Sequence, residues 1–577
     1  MSMTNDDIIE AAKKFAAHNA SQHDGTAQSG SVIGKILAEY PDLKSRVKEV
    51  IPIITQGIKE ANAWTQEQQQ KYIEDNYPEL LESHKIEEAP KTLPPLKNVE
   101  KWSLIKTRFA PNPDGALHLG SAEPIIFCDE YAKMYKGHFI LRYEDTSAEV
   151  KPPIPEMYDA ILEDLLWLGV KVDEKYIQSE RVEIYYKYAE QVLREGNAYV
   201  CDCDVETFRK LYMEKTACPC RELPPEEQLR RWNMMLDGSY AQGDAVVRIK
   251  TDLNDPNPAV RDWPALRISE TWHPRQGNKY RVWPLYNFSC GLDDHLMGVT
   301  HIIRGKEHDV NTTRQRWLQK HLGWDYPEII NVGRLGLEVG ILSKSKMRAG
   351  IDEGIYEGWD DPRLGTLRAL RRRGIQPEAI RKIMIHVGPK PVNVSISWDN
   401  FAAENRKIIE PRSNRYSFVE TPVKLIVNGI KKTITAKLPV HPDHPDRGNR
   451  VHVLEPVNGS ICLNLSRSDL DKMEEGKIVR LMGVANIMIT KVSDEITADF
   501  HSIDYQIARD VEASFINWLP YGEGVEAKVI MPDASKVIGL AEESVQDMKR
   551  DDMFQFERFG YCRVEQVKPF IAYFSHK

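Results

Sequence analysis

A strand that runs into a turn broken by proline and glycine, and out again into a helix, is the feature of this 577-residue chain that most narrows its fold. Residues Trp102 to Phe109 alternate in polarity and include Ile105 and Phe109, the pattern of a strand. Pro111, Pro113 and Gly115 then force an irregular turn, and Phe127, Tyr131, Met134 and Tyr135 mark one face of a helix that Gly137 stops. This sequence of elements belongs to an open α/β sheet, where ligands settle above the strand ends and a helix N-terminus offers free N–H groups to phosphate. His118 and Gly120 fall at that N-terminus. The glycine lets a nucleotide approach the backbone, and the imidazole can donate to phosphate oxygens as charge builds there. Taken alone, a histidine near a helix start is more often a capping or core residue than a catalytic one.

Downstream, His138 to Tyr143 reads as a second parallel strand that delivers Glu144, Asp145 and Thr146 to the ligand side. Helices are expected at 155–168 and 180–195. Between about 200 and 290 the rhythm breaks into prolines, cysteines and short alternating runs such as Ala245–Ile249, which marks an insertion between two halves of the sheet. Regular order resumes with a strand at His301–Arg304, a helix at 307–321 closed by Gly323, and a strand at 329–332. Residues 361–400 are mainly helical and carry Arg363, Arg368, Arg371, Arg372, Arg373, Arg381 and Lys382, a run that is usually a solvated helix face. Beyond 400 the period changes to two, and Asn428-Gly429 and Asn458-Gly459 lie between apolar alternations as hairpin signals. That portion is expected to be all-β, as barrels. Ahead of the sheet, residues 1–89 are helix-rich, with Ile8, Ile9, Ala12, Phe15 and Ala16 on one face, and a proline-rich linker covers 90–100.

The formal net charge of −9 argues against non-specific nucleic-acid binding, though not against an RNA held by local basic surface. No apolar run suits a membrane span and the N-terminus lacks a secretory layout, so a cytoplasmic protein without a membrane partner is expected. In that compartment eight cysteines do not suggest a disulfide framework. Four of them form two close pairs, Cys201-Asp-Cys203 and Cys218-Pro-Cys220, able to close a tetrahedron around structural Zn²⁺. The bland alternative is a set of reduced surface thiols.

His118-Leu-Gly-Ser121, ten residues after Arg108-Phe-Ala-Pro-Asn-Pro, resembles the HIGH signature of class I aminoacyl-tRNA synthetases in its glutamyl and glutaminyl form, with Ser121 replacing the final His. Ile341-Leu-Ser-Lys-Ser345 resembles the KMSKS loop, with Ile replacing the first Lys. The appended helical region and the β-rich C-terminal portion resemble the archaeal and eukaryotic glutamyl type.

The resemblance implies a Rossmann-type α/β catalytic core in halves 101–200 and 291–360, with an acceptor-end-binding insertion at 201–290. It further implies a stem-contacting segment at 361–400 and anticodon-binding β-barrels at 401–577. ATP with Mg²⁺ would meet Pro111, Asn112, Gly115, His118, Gly120, Ser121, Ser343, Lys344, Ser345 and Lys346, with His118 and Lys344 catalytic. A lysine gripping the departing phosphates supplies charge where it develops. L-Glutamate would meet Arg108, Ala110, Glu144, Tyr286, Arg304 and His308, the first and third holding its α-carboxylate and α-amino group.

Arg304 separates glutamate from glutamine. By the resemblance glutamyl enzymes carry Arg there, and its planar fork fits a γ-carboxylate bidentately; pairing with a protein carboxylate such as Glu307 is the competing reading. The expected partners are tRNA(Glu), ATP and glutamate, with tRNA(Gln) left open and a monomer as the working unit. The alternatives are a glutaminyl-tRNA synthetase, which Arg304 disfavours, a small-molecule adenylyltransferase, which would not need the region after 400, and a tRNA-binding relative without catalysis, which His118 and Lys344 disfavour.

Overall fold

A computed structural model describes residues 3–21, 25–27, 29–77, 92–337, 340–493 and 495–577. The chain divides into two compact units, Met1–Lys91 and Thr92–Lys577. Part of the expected linker, 90–91, lies outside the described residues.

The first unit is helical, with helices Asn5–Ser21, Ser29–Glu39, Val47–Asn62 and Gln66–Asn76. Four of the five residues expected on its apolar face, Ile8, Ala12, Phe15 and Ala16, are buried against Val50, Ile54 and Ile58, while Ile9 is half-buried. Gly57 permits the close crossing, because a Cβ there would sit 2.7 Å from the carbonyl oxygen of Ile9.

The second unit is organised by a five-stranded parallel sheet of β1 (Lys106–Phe109), β2 (His138–Tyr143), β3 (Glu174–Ile177), β4 (His301–Gly305) and β5 (Glu328–Val332), in the order β3-β2-β1-β4-β5. β1 is shorter than the alternation from Trp102 suggests, because pairing with β2 begins only at Lys106 opposite His138. The crossover helices Leu119–Met134 and Pro155–Trp167 bury Ile126, Phe127, Tyr131, Ile161 and Leu165 against Phe139 and Leu141. Strand order reverses between β1 and β4, so the crevice above their C-terminal ends is the topological switch point.

Between β3 and β4 lies a four-stranded antiparallel sheet, Ala198–Cys201, Val246–Ile249, Pro264–Ile268 and Val282–Pro284, with its own core around Trp232, Val247, Trp263 and Leu266.

From Asn414 onward the chain is β-rich, in two seven-stranded mixed sheets, one nearly barrel-shaped, and a two-stranded ribbon. The change comes later than residue 400, since Trp398–Ile409 is still a helix. Neither Asn-Gly pair joins neighbouring strands as a long hairpin. Pro422–Asn428 pairs with the distant Ser460–Ser466, and Ile434–Pro439 pairs with Asn449–Leu454. Asn458 and Gly459 do make a tight turn with both φ positive, closed by two hydrogen bonds between Val457 and Ser460, but the strand before it peels away. Long-range pairing overrides the local signal.

The basic run is largely neutralised within the fold. Arg363 pairs with Asp361, Arg368 with Glu163, Arg372 with Asp360, Arg381 with Asp129 and Glu130, and Lys382 with Glu404, while Arg373 is buried against the ring of Trp398. Arg371 and the ion-paired Lys382 stay exposed.

Candidate active site

The crevice at the switch point holds a cavity of about 730 Å³. Arg108 and Ala110 reach it from the end of β1, Glu144 from the end of β2, Arg304 from β4, Tyr286 from the start of the helix Tyr286–Leu296, and His308 from the turn after β4. All six residues expected around the amino acid therefore line one cavity, together with Asn112, Asn287, Asn311 and Lys151.

Arg304 is 5% exposed, and its bonds are to neutral groups: Nη1 donates to Gln315 Oε1 at 3.1 Å, and Nη2 to Thr312 Oγ1 at 2.6 Å and Tyr326 Oη at 3.1 Å. Its Nε is buried without a partner. Glu307, the alternative counter-ion, faces Arg334 at 4.0 Å. A buried cation without a carboxylate is costly, and an arriving anion removes that cost.

Beside it, Arg108 is gripped side-on by Asp294 through Nε at 3.1 Å and Nη2 at 3.2 Å. Arg142, fully buried in β2, donates to Asp294 at 2.7 Å and to Glu144 at 2.9 Å. Burial would raise the Asp294 carboxyl, but Arg108 and Arg142 together hold it well below the usual carboxylate range. Burial does raise Glu144, against the opposing pull of Arg142 and Arg108, so an ammonium group beside it would favour the charged carboxylate. His308 is lowered by burial and then by Arg304. Its Nδ1 accepts from the Asn311 amide at 3.0 Å and lies 3.5 Å from Tyr286 Oη, which assigns its proton to Nε2.

Arg142 and Asp294 are absent from the sequence reading. An arginine inside the apolar run His138–Tyr143 was a usable signal, because a central parallel strand is buried on both faces and its charge needs a partner.

The turn lies on the other flank of β1. Gly115 is required there, as a Cβ would come within 2.6 Å of the Trp359 ring. Pro111 accepts at its carbonyl from Glu144 N–H at 2.9 Å, which ties the turn to the end of β2. His118 is the N-cap of Leu119–Met134 without using its ring as a cap. Its Nδ1 is buried and unpartnered, and burial followed by the charge of Lys344 lowers its pKa to about 4. The imidazole is therefore neutral near pH 7.

The expectation of several free N–H groups at this helix start needs correction. Leu119 N–H donates to Gly365 O at 3.0 Å and Ser121 N–H turns back to His118 O at 2.8 Å, so Gly120 is left as the open one of the three among the described residues.

Lys344 begins the helix Lys344–Asp352, anchored by buried Met347. Its Nζ bonds Asp114 at 3.0 Å and the carbonyl of Asn112 at 3.4 Å, so the second motif docks on the first although 230 residues separate Lys344 from Asp114. Ser343 and Ser345 face each other at 3.2 Å, and both are exposed, as is Lys346.

Residues 104–411 match the family description "tRNA synthetases class I (E and Q), catalytic domain", and 413–506 and 515–565 match two descriptions of its anticodon-binding domain. The glutamate–tRNA ligase of Pyrococcus furiosus is 51% identical, over 99% of this chain and 100% of its own length. That of Thermococcus onnurineus is 50% identical over the same shares, and that of Methanocaldococcus jannaschii is 43% identical over 98% of this chain and 99% of its own. The chain belongs to the class I glutamyl and glutaminyl tRNA synthetase family.

This member of the family also carries the four clustered cysteines in its inserted sheet. Cys201 ends a strand, and Cys220 lies in the short helical turn Pro219–Glu222. The Cys201, Cys203, Cys218 and Cys220 sulfurs lie within 4.8 Å of one another, with Cys201–Cys218 at 3.9 Å and Cys203–Cys220 at 3.5 Å. A tetrahedron with Zn–S bonds of about 2.3 Å has sulfur–sulfur edges of about 3.8 Å, so the donor set fits zinc. Asp202, within 3.0 Å of Cys220 Sγ, is held by Arg231 at 2.7 Å and Tyr240 at 3.0 Å.

Proposed function

We propose that this chain is a glutamate–tRNA ligase that condenses L-glutamate with ATP to glutamyl-adenylate and pyrophosphate, then transfers the glutamyl group to the 2′-hydroxyl of the terminal adenosine of tRNA(Glu). The observation that carries this reading is Arg304, a buried cation lining the cavity and bonded to neutral groups alone. A γ-carboxylate supplies the missing anion. Glutamine would set an amide NH₂ against the guanidinium and lose that pairing, a difference on the order of several kcal/mol.

The rest of the zwitterion finds complementary charge. Arg108 offers its remaining nitrogen to the α-carboxylate, and Glu144 accepts from the α-ammonium, with Ala110, Tyr286 and His308 completing the wall. The glutamate carboxylate then attacks the α-phosphate of ATP brought as its Mg²⁺ complex. Neutral His118, the open amide of Gly120 and Ser121 face the nucleotide from the turn shaped by Pro111, Asn112 and Gly115. Lys344 leaves Asp114 for the departing pyrophosphate, with Ser343, Ser345 and Lys346 in the same loop. No covalent protein intermediate is needed; positioning and charge stabilisation do the chemistry.

Cys201, Cys203, Cys218 and Cys220 hold a structural zinc in this reading. Four thiolates close its coordination, so it fixes the insertion that receives the acceptor end and takes no part in the reaction. The β-rich region reads the anticodon, the chain works as a cytoplasmic monomer, and no helix among the described residues is long and apolar enough to cross a membrane. The test is pyrophosphate release with ATP, tRNA(Glu) and either amino acid. Release dependent on L-glutamate is expected, and release dependent on glutamine alone would refute the reading. Repeating the assay with tRNA(Gln) decides whether that tRNA is a second acceptor.

A further inference from the structure

One carboxylate organises the floor of the cavity. Asp294, 1% exposed, sits near the end of the helix Tyr286–Leu296. Its Oδ1 takes both Arg108 Nε at 3.1 Å and Arg142 Nη1 at 2.7 Å, and its Oδ2 takes Arg108 Nη2 at 3.2 Å. Arg142 then passes its other nitrogen, Nη2, to Glu144 at 2.9 Å. The side-on grip on Arg108 fixes the plane of its guanidinium and leaves Nη1 as the nitrogen for a ligand. Both groups that meet the amino acid's backbone atoms are thus referred to a single point.

We infer that Asp294 is the positioning residue that sets the geometry of α-carboxylate and α-amino recognition, holding Arg108 directly and Glu144 through Arg142. The inference rests on the roles given above to Arg108 and Glu144. A carboxylate is required because Oδ1 and Oδ2 both receive N–H donors. The isosteric amide would turn an NH₂ toward an arginine N–H and lose one side of the grip. The neighbouring Asp293 provides an internal contrast. It is 0% exposed and as heavily bonded, but to Arg181, Tyr185 and Gln178, with no bond to Arg108, Arg142 or Glu144.

The experiment is steady-state charging of tRNA(Glu) by Asp294→Asn, Asp293→Asn and Glu144→Gln, with KM measured for glutamate and for ATP. Glutarate, which lacks the α-amino group, serves as the competing inhibitor. Asp294→Asn is expected to raise the glutamate KM about 100-fold while the ATP KM stays within about twofold. The ratio of the glutarate inhibition constant to the glutamate KM should fall by about tenfold, because glutarate never used the Glu144 contact. Asp293→Asn lowers thermal stability but leaves that ratio unchanged. Should Asp294→Asn fail to melt cooperatively, the double variant Arg142→Gln/Asp294→Asn, which keeps the network's charge balanced, is put to the same ratio test. An unchanged ratio in the Asp294 variants, with a reduced one in Glu144→Gln, overturns the inference and spares the assignment of Glu144. An unchanged ratio in Glu144→Gln overturns both.

Discussion

Arg304 donates to Gln315 at 3.1 Å and meets no carboxylate among the described residues, although it is 5% exposed. Its neutral partners hold the fork in place without discharging it. Replacing Arg304 by Gln should lower kcat/KM for glutamate on the order of 10³-fold, the equivalent of about 4 kcal/mol for a buried charge pair broken on one side. The ATP KM should hardly move. Equal losses toward both substrates would mean that Arg304 supports the fold rather than selects the amino acid.

Lys344 and Asp114 form an ion pair at 3.0 Å between the two signature segments. The lysine acts on charge that develops only as pyrophosphate leaves, so Lys344→Ala should reduce kcat for adenylate formation by about 10²–10³-fold and change the glutamate KM little. Pre-steady-state measurement of adenylate formation separates the two. A raised glutamate KM at unchanged kcat would place Lys344 in binding instead.

The parts of this architecture that could be read from the sequence are those whose meaning is local. The turn at Pro111–Gly115, the cysteine pairs and the strand end carrying Arg304 declare themselves within a few residues. Asp294 could not be found that way, because it lies on a helix and its meaning lies in Arg108 and Arg142, on two strands 186 and 152 positions away. The ion pairs within the basic run were hidden for the same reason: Glu163, which meets Arg368, lies 205 positions earlier. In the β region, Asn428-Gly429 gave a correct strand end and a wrong partner, since register there is set by strands far apart in the chain.

His576 is 1% exposed, accepts from the Asn405 amide at 3.0 Å and donates from Nδ1 to the carbonyl of Lys577. Burial is the main cause that lowers its pKa from 6.5 to about 4. Between those values the unfolded chain binds the proton and the folded chain does not. The stabilisation is therefore complete above about pH 6.5 and is lost as pH falls toward 4, on the order of 3 kcal/mol from this residue. Melting temperature should fall with acidification across that window, and His576→Gln should flatten the decline. Parallel declines in the two proteins would contradict this.

The four cysteine sulfurs are spaced for a tetrahedral ion. Elemental analysis of freshly purified protein should find one zinc per chain. Cys203→Ser should lower the zinc content and raise the KM for tRNA, leaving the KM for glutamate near its original value. Full-length protein with no zinc and an unaltered melting curve in chelator would remove the metal from the description.

The most direct test of glutamate selection at Arg304 is chemical identification of what the protein attaches. tRNA(Glu) is incubated with ATP, Mg²⁺ and equal concentrations of L-glutamate and L-glutamine, and the terminal aminoacyl-adenosine is identified by mass spectrometry. Glutamyl-adenosine as the product is the predicted result, and a shift toward loss of charging rather than toward glutamine is predicted for Arg304→Gln. Glutaminyl-adenosine as the main product of the unaltered protein would contradict it.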